Sequence, residues 1–282
     1  MSEQESLAKQ VTVIKPAKGW EAIGRDVFEE LIRYRDLFFF LVWRDIKVLY
    51  AQTILGFAWA ILNPAIQIII FTIIFGRVAK VPTDDVPYFL YCTLGIIPWT
   101  YMAEAMNFSS QSLILGQSML GKVYFPRLLF PMAPVAAKLV DFGISLVILV
   151  GVMLFYGITP GWNILYLPVF LLMMICVPLA AGLWLSALAI RFRDVKFAMN
   201  FLIRMLMFTA PIVYSASTIP EAYRFLYSLN PIVGVIEGFR ACLLGTPIPW
   251  MYVLPGMVVA VILLFTGFLY FKRMEKVFVD VI

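Results

Sequence analysis

The sequence predicts an all-α polytopic membrane protein. Of its 282 residues, 62% are hydrophobic and 14% are charged, a composition too apolar for a soluble core of this size. Six segments are long and apolar enough to cross a bilayer as helices. The basic residues gather at the ends of these segments rather than in one patch, so they report membrane topology and not a nucleic-acid partner.

The N-terminal part of the chain is polar before it becomes amphipathic. Residues 1–20 include Pro16 and Gly19 and show no periodicity, so we expect a flexible tail and no cleavable signal peptide. Apolar residues then recur at spacings of three and four, which predicts an amphipathic helix over 23–50 lying in the membrane interface. Its apolar stripe consists of Ile23, Val27, Leu31, Tyr34, Phe38 and Leu41.

The six expected spans belong to a single transmembrane domain that covers residues 21–282. Lysines and arginines precede the first span and follow the second, fourth and sixth, whereas the turn at 159–163 has no charge. The positive-inside rule therefore places both termini in the cytoplasm. The spans are expected at 54–76, 88–110, 128–157, 164–190, 198–218 and 251–271.

Between the fifth and sixth spans, residues 219–250 are divided by prolines and glycines into two short helical pieces. Each piece is too short to cross the bilayer. We expect short re-entrant helices that dip in from the outer face, with helices lying flat on the surface as the alternative. Glu237 and Arg240, at i and i+3, would pair within the second piece.

Two spans carry polar stripes on one helical face. The first stripe consists of Gln52, Gly56, Trp59, Asn63 and Gln67. The second consists of Thr100, Glu104, Asn107 and Gln111. Such faces should point at other helices or at a water-filled path rather than at lipid, and the pattern does not choose between these two roles.

Ionisable residues inside the spans are costly and need partners. Lys138 and Asp141 are spaced i and i+3, so they should pair, which favours a structural bridge over a role in transport. Glu104 and Arg204 lack a partner within their own helices, and a pair with another helix would satisfy each of them.

The sequence argues against an enzyme. GQSMLGKV at 116–123 has the glycine and lysine spacing of a phosphate-binding loop, but it ends in valine where a hydroxyl is required, and it follows a span rather than a strand. The chain has no histidine, its three cysteines stand apart, and the acidic pair Asp84 and Asp85 is adjacent rather than spaced. We expect no metal site and no catalytic residues.

Four stretches carry a resemblance to a known family. They are WRDIKVLYAQTILGFAWAILNP at 43–64, RFRDVK at 191–196, TAPIVYS at 209–215 and NPIVGVIEGFR at 230–240. They resemble the permease subunits of bacterial type 2 ABC transporters that export polysaccharides such as O-antigen, teichoic acid and capsule. The closing FKRMEKVFVDVI fits as well, and the resemblance extends from about Arg33 to the end.

This resemblance implies a permease that hydrolyses no ATP itself. It implies a homodimer in the bacterial cytoplasmic (inner) membrane with two copies of a separate ATPase subunit, which would carry the ATP and Mg²⁺, so we expect no cofactor on this chain. The implied substrate is a lipid-linked polysaccharide. The alternatives are an ABC permease for a drug or lipid and an ATP-independent lipid-linked sugar flippase.

Two groups of residues are candidates for these roles. Mixed charge and an aromatic anchor suit ATPase docking, although the arginines alone could serve topology. The docking candidates are Arg44, Asp45, Lys47, Lys122, Arg191, Phe192, Arg193, Asp194 and Lys196. Aromatic rings pack on the C–H face of a sugar, although they also anchor helices at interfaces. The candidates for the substrate path are Trp59, Trp99, Tyr101, Phe208 and Tyr214.

Overall fold

The computed structural model describes residue 29 and residues 31–51, 56–120, 125–192 and 194–275. These residues form helices joined by short turns. The α-helices are α1 Arg35–Tyr50, α2 Trp59–Phe71, α3 Tyr88–Leu115, α4 Gln117–Leu120, α5 Leu129–Phe155, α6 Leu167–Arg191, α7 Val195–Phe208, α8 Glu221–Ser228, α9 Pro231–Leu244 and α10 Trp250–Met274. A 3₁₀ turn at Gly56–Ala58 and a π-helical segment at Thr72–Val78 extend α2, and a 3₁₀ turn at Trp162–Tyr166 leads into α6.

Helix α3 lies at the centre of the bundle. It packs against α2, α5, α6, α7 and α9, and most of its side chains are buried. Small residues allow α6 to approach α3 closely, because a Cβ atom added to Gly182 on α6 would lie 1.8 Å from Ser109 Oγ on α3. A helix surrounded by protein needs less apolar surface than one that faces lipid, so α3 tolerates the polar stripe predicted from its sequence.

Four of the described helical segments are long and apolar enough to cross a membrane: Gly56–Val78, Leu129–Phe155, Trp162–Arg191 and Trp250–Met274. Helix α3 has sufficient length, with 28 residues, but it is less apolar than these four segments. The multi-pass helical architecture is therefore confirmed, whereas the count of six spans is not.

The expected fifth span at 198–218 is wrong in its second half. Helix α7 has 14 residues and ends at Phe208, so it is about 21 Å long against a hydrocarbon core of about 30 Å. Pro211 explains this end, since a proline provides no backbone N–H and disfavours helical backbone at the preceding residue. The chain then continues through turns and a short 3₁₀ helix, Ala216–Thr218, to α8.

The two pieces expected between the last spans are present as α8 and α9. Asn230 caps α9 because its side chain accepts a hydrogen bond from the Ile232 backbone N–H, and Pro231 occupies the first helical turn. Helix α9 is buried against α6, α10 and α3, with eleven of its residues buried, whereas α8 remains largely exposed. A helix buried on this scale does not lie flat on a surface.

Helix α1 packs on one end of the bundle. Leu41 is fully buried in a small apolar cluster with Leu113 of α3, Leu129 of α5 and Phe271 of α10. The predicted stripe residues Leu31, Tyr34 and Phe38 border the same cluster. Ile23 and Val27, the first two residues of that stripe, lie outside the described residues. The other faces of α1 expose Phe39, Phe40 and Trp43, so the helix presents apolar surface away from the bundle as well.

Candidate functional site

A half-open cavity of about 250 Å³ lies where the end of α1 meets the start of α2 and the middle of α3 and α5. It combines charged, amide and hydroxyl groups with aromatic rings inside an otherwise apolar bundle. Its polar, charged and aromatic lining residues include Tyr50, Trp59, Asn63, Thr100, Tyr101, Glu104, Phe108, Lys138 and Asp141. We call this space the inner cavity, because it lies beside the end of α1, the helix that the positive-inside rule predicts on the cytoplasmic side.

Three charged side chains of the inner cavity form one network. Lys138 Nζ lies 2.5 Å from Glu104 Oε2 and 2.9 Å from Asp141 Oδ2. The lysine side chain is 6% exposed, whereas the glutamate and aspartate side chains are 34% and 18% exposed. The ammonium group is therefore enclosed, and the two carboxylates, which also line the cavity, are the more exposed partners.

The network includes one ion pair that sequence spacing could not predict, between Lys138 on α5 and Glu104 on α3. Lys138 and Asp141 are neighbours on one helix face, but Glu104 reaches them from α3, 34 residues earlier in the chain. Arg204, the other charge without a local partner, is exposed on α7 and forms no ion pair within the part of the chain that the structure describes.

Tyr50 connects this network to α1. Its hydroxyl group donates a hydrogen bond to Asp141 Oδ1 across 91 residues of sequence. Burial, followed by this bond to Asp141, raises the pKa of the Tyr50 phenol well above its usual value, so the phenol stays protonated and continues to donate. A single chain of polar contacts thus runs from Tyr50 on α1, through Asp141 and Lys138 on α5, to Glu104 on α3. Tyr50 is a functional candidate that sequence reasoning missed, because nothing in its local pattern signals a distant partner.

The two polar stripes predicted from the sequence meet at this cavity. Trp59 and Asn63 line it from α2, and Thr100 and Glu104 line it from α3. The Thr100 hydroxyl oxygen is buried and has no hydrogen-bond partner among the described residues. A buried polar atom without a partner is unusual in a native structure. Gln52, the first member of the α2 stripe, lies outside the described residues.

The five aromatic residues proposed for the substrate path do not share one surface. Trp59 and Tyr101 line the inner cavity. Trp99 is buried in the packed core and does not line that cavity. Phe208 and Tyr214 lie beyond it, at the irregular end of α7, where the Tyr214 hydroxyl donates to the Phe208 carbonyl oxygen at 3.1 Å. The sequence predicts which span each of these residues belongs to, but it does not predict which of them line the same cavity.

A second cavity of about 360 Å³ adjoins the first and shares Leu49, Phe108 and Lys138 with it. Arg44 and Asp45 of α1 line this second cavity opposite Ser112 and Leu115 of α3. The Arg44 guanidinium lies 2.7 Å from Asp45 Oδ1, so the pair adds no net charge. Two of the proposed docking residues therefore lie directly beside the charged network.

The remaining described docking candidates lie on exposed surface. Lys47 lies over the Trp43 ring at 5.3 Å. Arg191, Phe192, Asp194 and Lys196 are exposed at the α6–α7 turn, and the Arg191 guanidinium lies 5.3 Å from the Phe192 ring centre. Lys122 and Arg193 lie outside the described residues.

A second charged cluster lies at the other end of the bundle, and we call it the outer cluster. Arg240 Nη1 lies 2.6 Å from Glu237 Oε1, the i, i+3 partner expected from the sequence, and 2.8 Å from the Tyr91 hydroxyl oxygen. The guanidinium carbon stands 3.6 Å from the centre of the Tyr91 ring, a cation–π contact. The Arg240 and Glu237 side chains are only 5% and 15% exposed, so this cluster is closed.

The outer cluster holds the irregular backbone that follows α7. Three carbonyl oxygens of that segment accept hydrogen bonds from side chains of α3 and α9. The pairs are Arg240 with Pro211 at 2.8 Å, Tyr88 with Val213 at 2.8 Å and Tyr91 with Tyr214 at 2.9 Å. Non-helical backbone at membrane depth persists only where protein groups satisfy it, and these three bonds do so.

An outer loop closes over the same segment. Asp84 accepts a hydrogen bond from the Ser215 hydroxyl and another, at 2.9 Å, from the Ser217 hydroxyl. Asp84 and Asp85 both have positive φ angles, of 49° and 62°. Two such residues in succession give the loop the tight turn that brings Asp84 to its partners. The adjacent aspartates were dismissed as a metal pair, but their role in this loop was not predicted.

The bundle and its enclosed charged groups define a multi-pass helical membrane protein with a polar cavity between its helices. The chain belongs to the ABC-2 type transporter family, whose sequence signature matches residues 36–244. The permeases resembled by the four sequence stretches are thus confirmed at the level of the family.

Curated relatives cover most of the chain. It is 29% identical over 214 residues to the O-antigen export system permease protein RfbA of Myxococcus xanthus, covering 75% of this chain and 82% of that one. It is 24% identical over 248 residues to RfbA of Klebsiella pneumoniae, covering 88% and 95% of the two chains. The polysialic acid transport protein KpsM of Escherichia coli is 24% identical over 202 residues, covering 70% and 77%.

Proposed function

We propose that this chain is the permease subunit of an ATP-driven exporter that moves a lipid-linked polysaccharide across the bacterial cytoplasmic membrane. The observation that carries the proposal is the likeness, over 70% or more of the chain, to relatives named for O-antigen export and polysialic acid transport. The inner cavity adds chemical support. Carboxylates, an amide and aromatic rings in one wall are the groups that contact the hydroxyls and C–H faces of sugars.

A separate ATPase subunit would supply the energy. Family membership implies such a partner, and α1 and the α6–α7 turn offer it mixed charge and an exposed aromatic anchor, Phe192. ATP and Mg²⁺ would bind on that partner. The near-match to a phosphate-binding loop begins at Gly116 at the end of α3 and continues as the short helix α4, a context unlike the strand that such a loop requires.

Coupling would run through the chain of polar contacts described above. Movement of α1 would pull Tyr50 from Asp141, which frees a lone pair on that carboxylate and shifts the position of Lys138 between its two partners. Because Lys138 bridges α5 and α3, the central helix would respond to a motion that begins at the surface. The contacts support this route because they are continuous: Tyr50 contacts Asp141, Asp141 contacts Lys138, and Lys138 contacts Glu104.

A second copy of the chain would complete the path. The apolar outer face of α2 remains exposed in the single chain, including Ile61, Ile66, Ile69 and Ile73, and α7 exposes Phe201 and Met205. We propose that these faces meet lipid or the second copy, with the inner cavity of each copy opening toward a shared path. Both termini would lie in the cytoplasm.

A cargo comparison in sealed vesicles tests the proposed function. The chain and its ATPase would be reconstituted together and supplied in turn with a lipid-linked polysaccharide, a fluorescent phospholipid and a cationic dye. We expect only the polysaccharide to cross with ATP. Transport of the dye or the phospholipid at an equal rate would replace the proposal with a drug or lipid permease.

The lipid alternative has one specific observation in its favour. A wholly apolar groove of about 430 Å³ lies between α5, α6 and α10 and is lined by Leu128, Met132, Leu183, Leu264 and Phe268. It suits the polyprenyl chain of a lipid-linked polysaccharide as well as the acyl chain of a membrane phospholipid. The phospholipid arm of the vesicle experiment decides whether such a chain is cargo by itself.

Docking is tested by exchanging charges at the α6–α7 turn. In the double variant Arg193→Glu with Asp194→Arg the net charge, and with it the topology signal, is unchanged. We expect ATP hydrolysis to continue while export falls at least tenfold. The matched control, Arg224→Glu with Glu221→Arg, exchanges an ion pair on α8, at the other end of the bundle, whose glutamate side chain is 87% exposed, and it should export normally. Normal export by the first variant would remove this turn from the docking site.

A further inference from the structure

The charges around the inner cavity are not balanced. The described elements that line the cavity contribute the carboxylates Glu104 and Asp141 and the ammonium group of Lys138. The segments of α1 and α2 that line it contribute no charged group, and the adjoining Arg44–Asp45 pair is neutral by itself. The cavity therefore carries one net negative charge, and the negative groups are the more exposed ones.

A negative cavity of this size selects among sugars. Its volume of about 250 Å³ is below the roughly 300–1,000 Å³ of pockets for drug-sized ligands, so it accommodates about one sugar ring at a time. Carboxylate oxygens accept hydrogen bonds from sugar hydroxyls or from an ammonium group, but they repel a sugar carboxylate or phosphate. Inside a bundle this repulsion is stronger than in water and is screened little by salt.

Two further groups are available for a sugar ring. The Thr100 hydroxyl oxygen is buried in the cavity wall without a hydrogen-bond partner in the described part of the chain. The Trp59 side chain lines the same cavity and is 44% exposed in the single chain. A hydroxyl group without a partner, an open indole face and two acceptor carboxylates together match the mixed polar and apolar surface of a pyranose.

We propose that the inner cavity is a sugar-binding site that accepts uncharged or amine-bearing residues of the polysaccharide and discriminates against anionic ones. The inference rests on the proposed function and deepens it by naming the class of glycan. Family membership does not decide this point, because relatives named for O-antigen export and for polysialic acid transport both match the chain. The cavity charge does decide it, since polysialic acid carries a carboxylate on every residue.

Oligosaccharide binding to the full chain in nanodiscs tests the proposal. The probes are six-residue oligomers of glucose, of glucosamine and of sialic acid, with affinity measured by titration calorimetry at an ionic strength of about 0.15 M, where exposed charges are well screened. We expect the sialic acid oligomer to bind at least tenfold more weakly than the other two. Equal affinity for the three oligomers, or no binding of any of them, would overturn the proposal.

Matched variants locate the discrimination. Glu104→Gln removes the net charge and should bring the affinities for the glucose and sialic acid oligomers to within about threefold. Glu221→Gln removes a carboxylate from the exposed helix α8 and should leave the tenfold ratio unchanged. Glu104→Asp retains the charge and should retain the ratio. A ratio unaffected by Glu104→Gln in a folded protein would place the discrimination elsewhere and overturn the assignment.

Two further variants test the binding site without changing the charged network. Thr100→Val deletes a hydroxyl that has no hydrogen-bond partner among the described residues, so the thermal unfolding midpoint should not fall, whereas the affinity for the glucose oligomer should drop several-fold. Trp59→Ala should weaken binding by about tenfold, whereas Trp162→Ala, which truncates an exposed side chain before α6, should not. Unchanged affinity in both Thr100→Val and Trp59→Ala would exclude the cavity as the binding site.

The vesicle assay distinguishes a failure of the proposed sugar selectivity from a failure of the proposed export function. If wild-type protein with its ATPase exports the lipid-linked polysaccharide but binds the three oligomers equally, only the sugar selectivity is wrong. If selective binding is observed but no polysaccharide crosses with ATP, the binding site stands and the proposed export function falls.

Discussion

The inner and outer clusters use the same chemistry in opposite ways. Each contains an i, i+3 ion pair on one helix and a tyrosine on another. In the outer cluster, Arg240 is enclosed by Glu237, the Tyr91 ring and a backbone carbonyl group. In the inner cluster, Lys138 is shared between two carboxylates, and the surplus negative charge faces a cavity.

We propose that this difference separates a structural cluster from a functional one. The outer cluster satisfies the backbone after α7, so its closure serves the fold. The Glu104 and Asp141 side chains are 34% and 18% exposed and line a cavity. The two clusters differ in this exposure and not in their unpaired atoms, because both the Thr100 hydroxyl and the enclosed Arg240 Nε lack a hydrogen-bond partner among the described residues. The sequence favoured a structural role for Lys138 and Asp141; we propose a role in transport instead, because both residues line the inner cavity.

The largest expected effect is on the outer cluster. Arg240→Met leaves Glu237 buried without its cation and removes the donor to Pro211, which should lower the free energy of unfolding by about 3–5 kcal/mol. Thermal unfolding and yield in detergent would report the loss. Adding Glu237→Leu should restore much of the stability, and a single variant as stable as wild type would contradict a structural role.

Lys138→Met should have the next largest effect. It leaves Glu104 and Asp141 without their shared cation, but their side chains are 34% and 18% exposed, against 15% for Glu237, so the loss should be smaller, about 1.5–3 kcal/mol. The decisive comparison is with Arg240→Met by the same unfolding measurement. A greater loss for Lys138→Met would reverse our assignment of the closed and open clusters.

Tyr50→Phe should have a modest effect on stability and a larger one on coupling. It removes one hydrogen bond between α1 and α5, worth about 0.5–1.5 kcal/mol. Because α1 would then move without Asp141, we expect polysaccharide exported per ATP hydrolysed to fall several-fold while the hydrolysis rate is retained. Tyr34→Phe, a hydroxyl deletion just before α1, is the matched control and should export normally.

The smallest effect is expected from Glu221→Ala, which leaves intact the 3.1 Å hydrogen bond from Arg224 to the Ile219 carbonyl oxygen. The Glu221 side chain is 87% exposed and lies 3.4 Å from the Arg224 guanidinium, so the pair should contribute less than about 1 kcal/mol. An unfolding midpoint close to that of wild type would confirm that exposure, rather than the mere presence of an ion pair, sets the order of these effects. A loss of unfolding free energy comparable with that of Arg240→Met would contradict the link between exposure and the strength of an ion pair.

What the sequence predicted was local. The pairs Lys138–Asp141 and Glu237–Arg240 follow from helical spacing, and hydropathy places the long apolar helices. The contacts of Glu104 and Tyr50 were not predictable, since both depend on how distant helices pack. The early end of α7 at Phe208 had a readable signal in Pro211, which the apolar run concealed. Apolarity alone likewise gave no way to place Trp99 in the core and Trp59 at the cavity.

We propose that polysaccharide passes the inner cavity only when a separate ATPase drives the helices around it. The most direct measurement is the movement of a lipid-linked polysaccharide across vesicles that contain this chain with its ATPase, compared with vesicles that contain the chain alone. We predict ATP-dependent movement in the first and none in the second. Equal movement by the isolated chain, with or without ATP, would contradict the account.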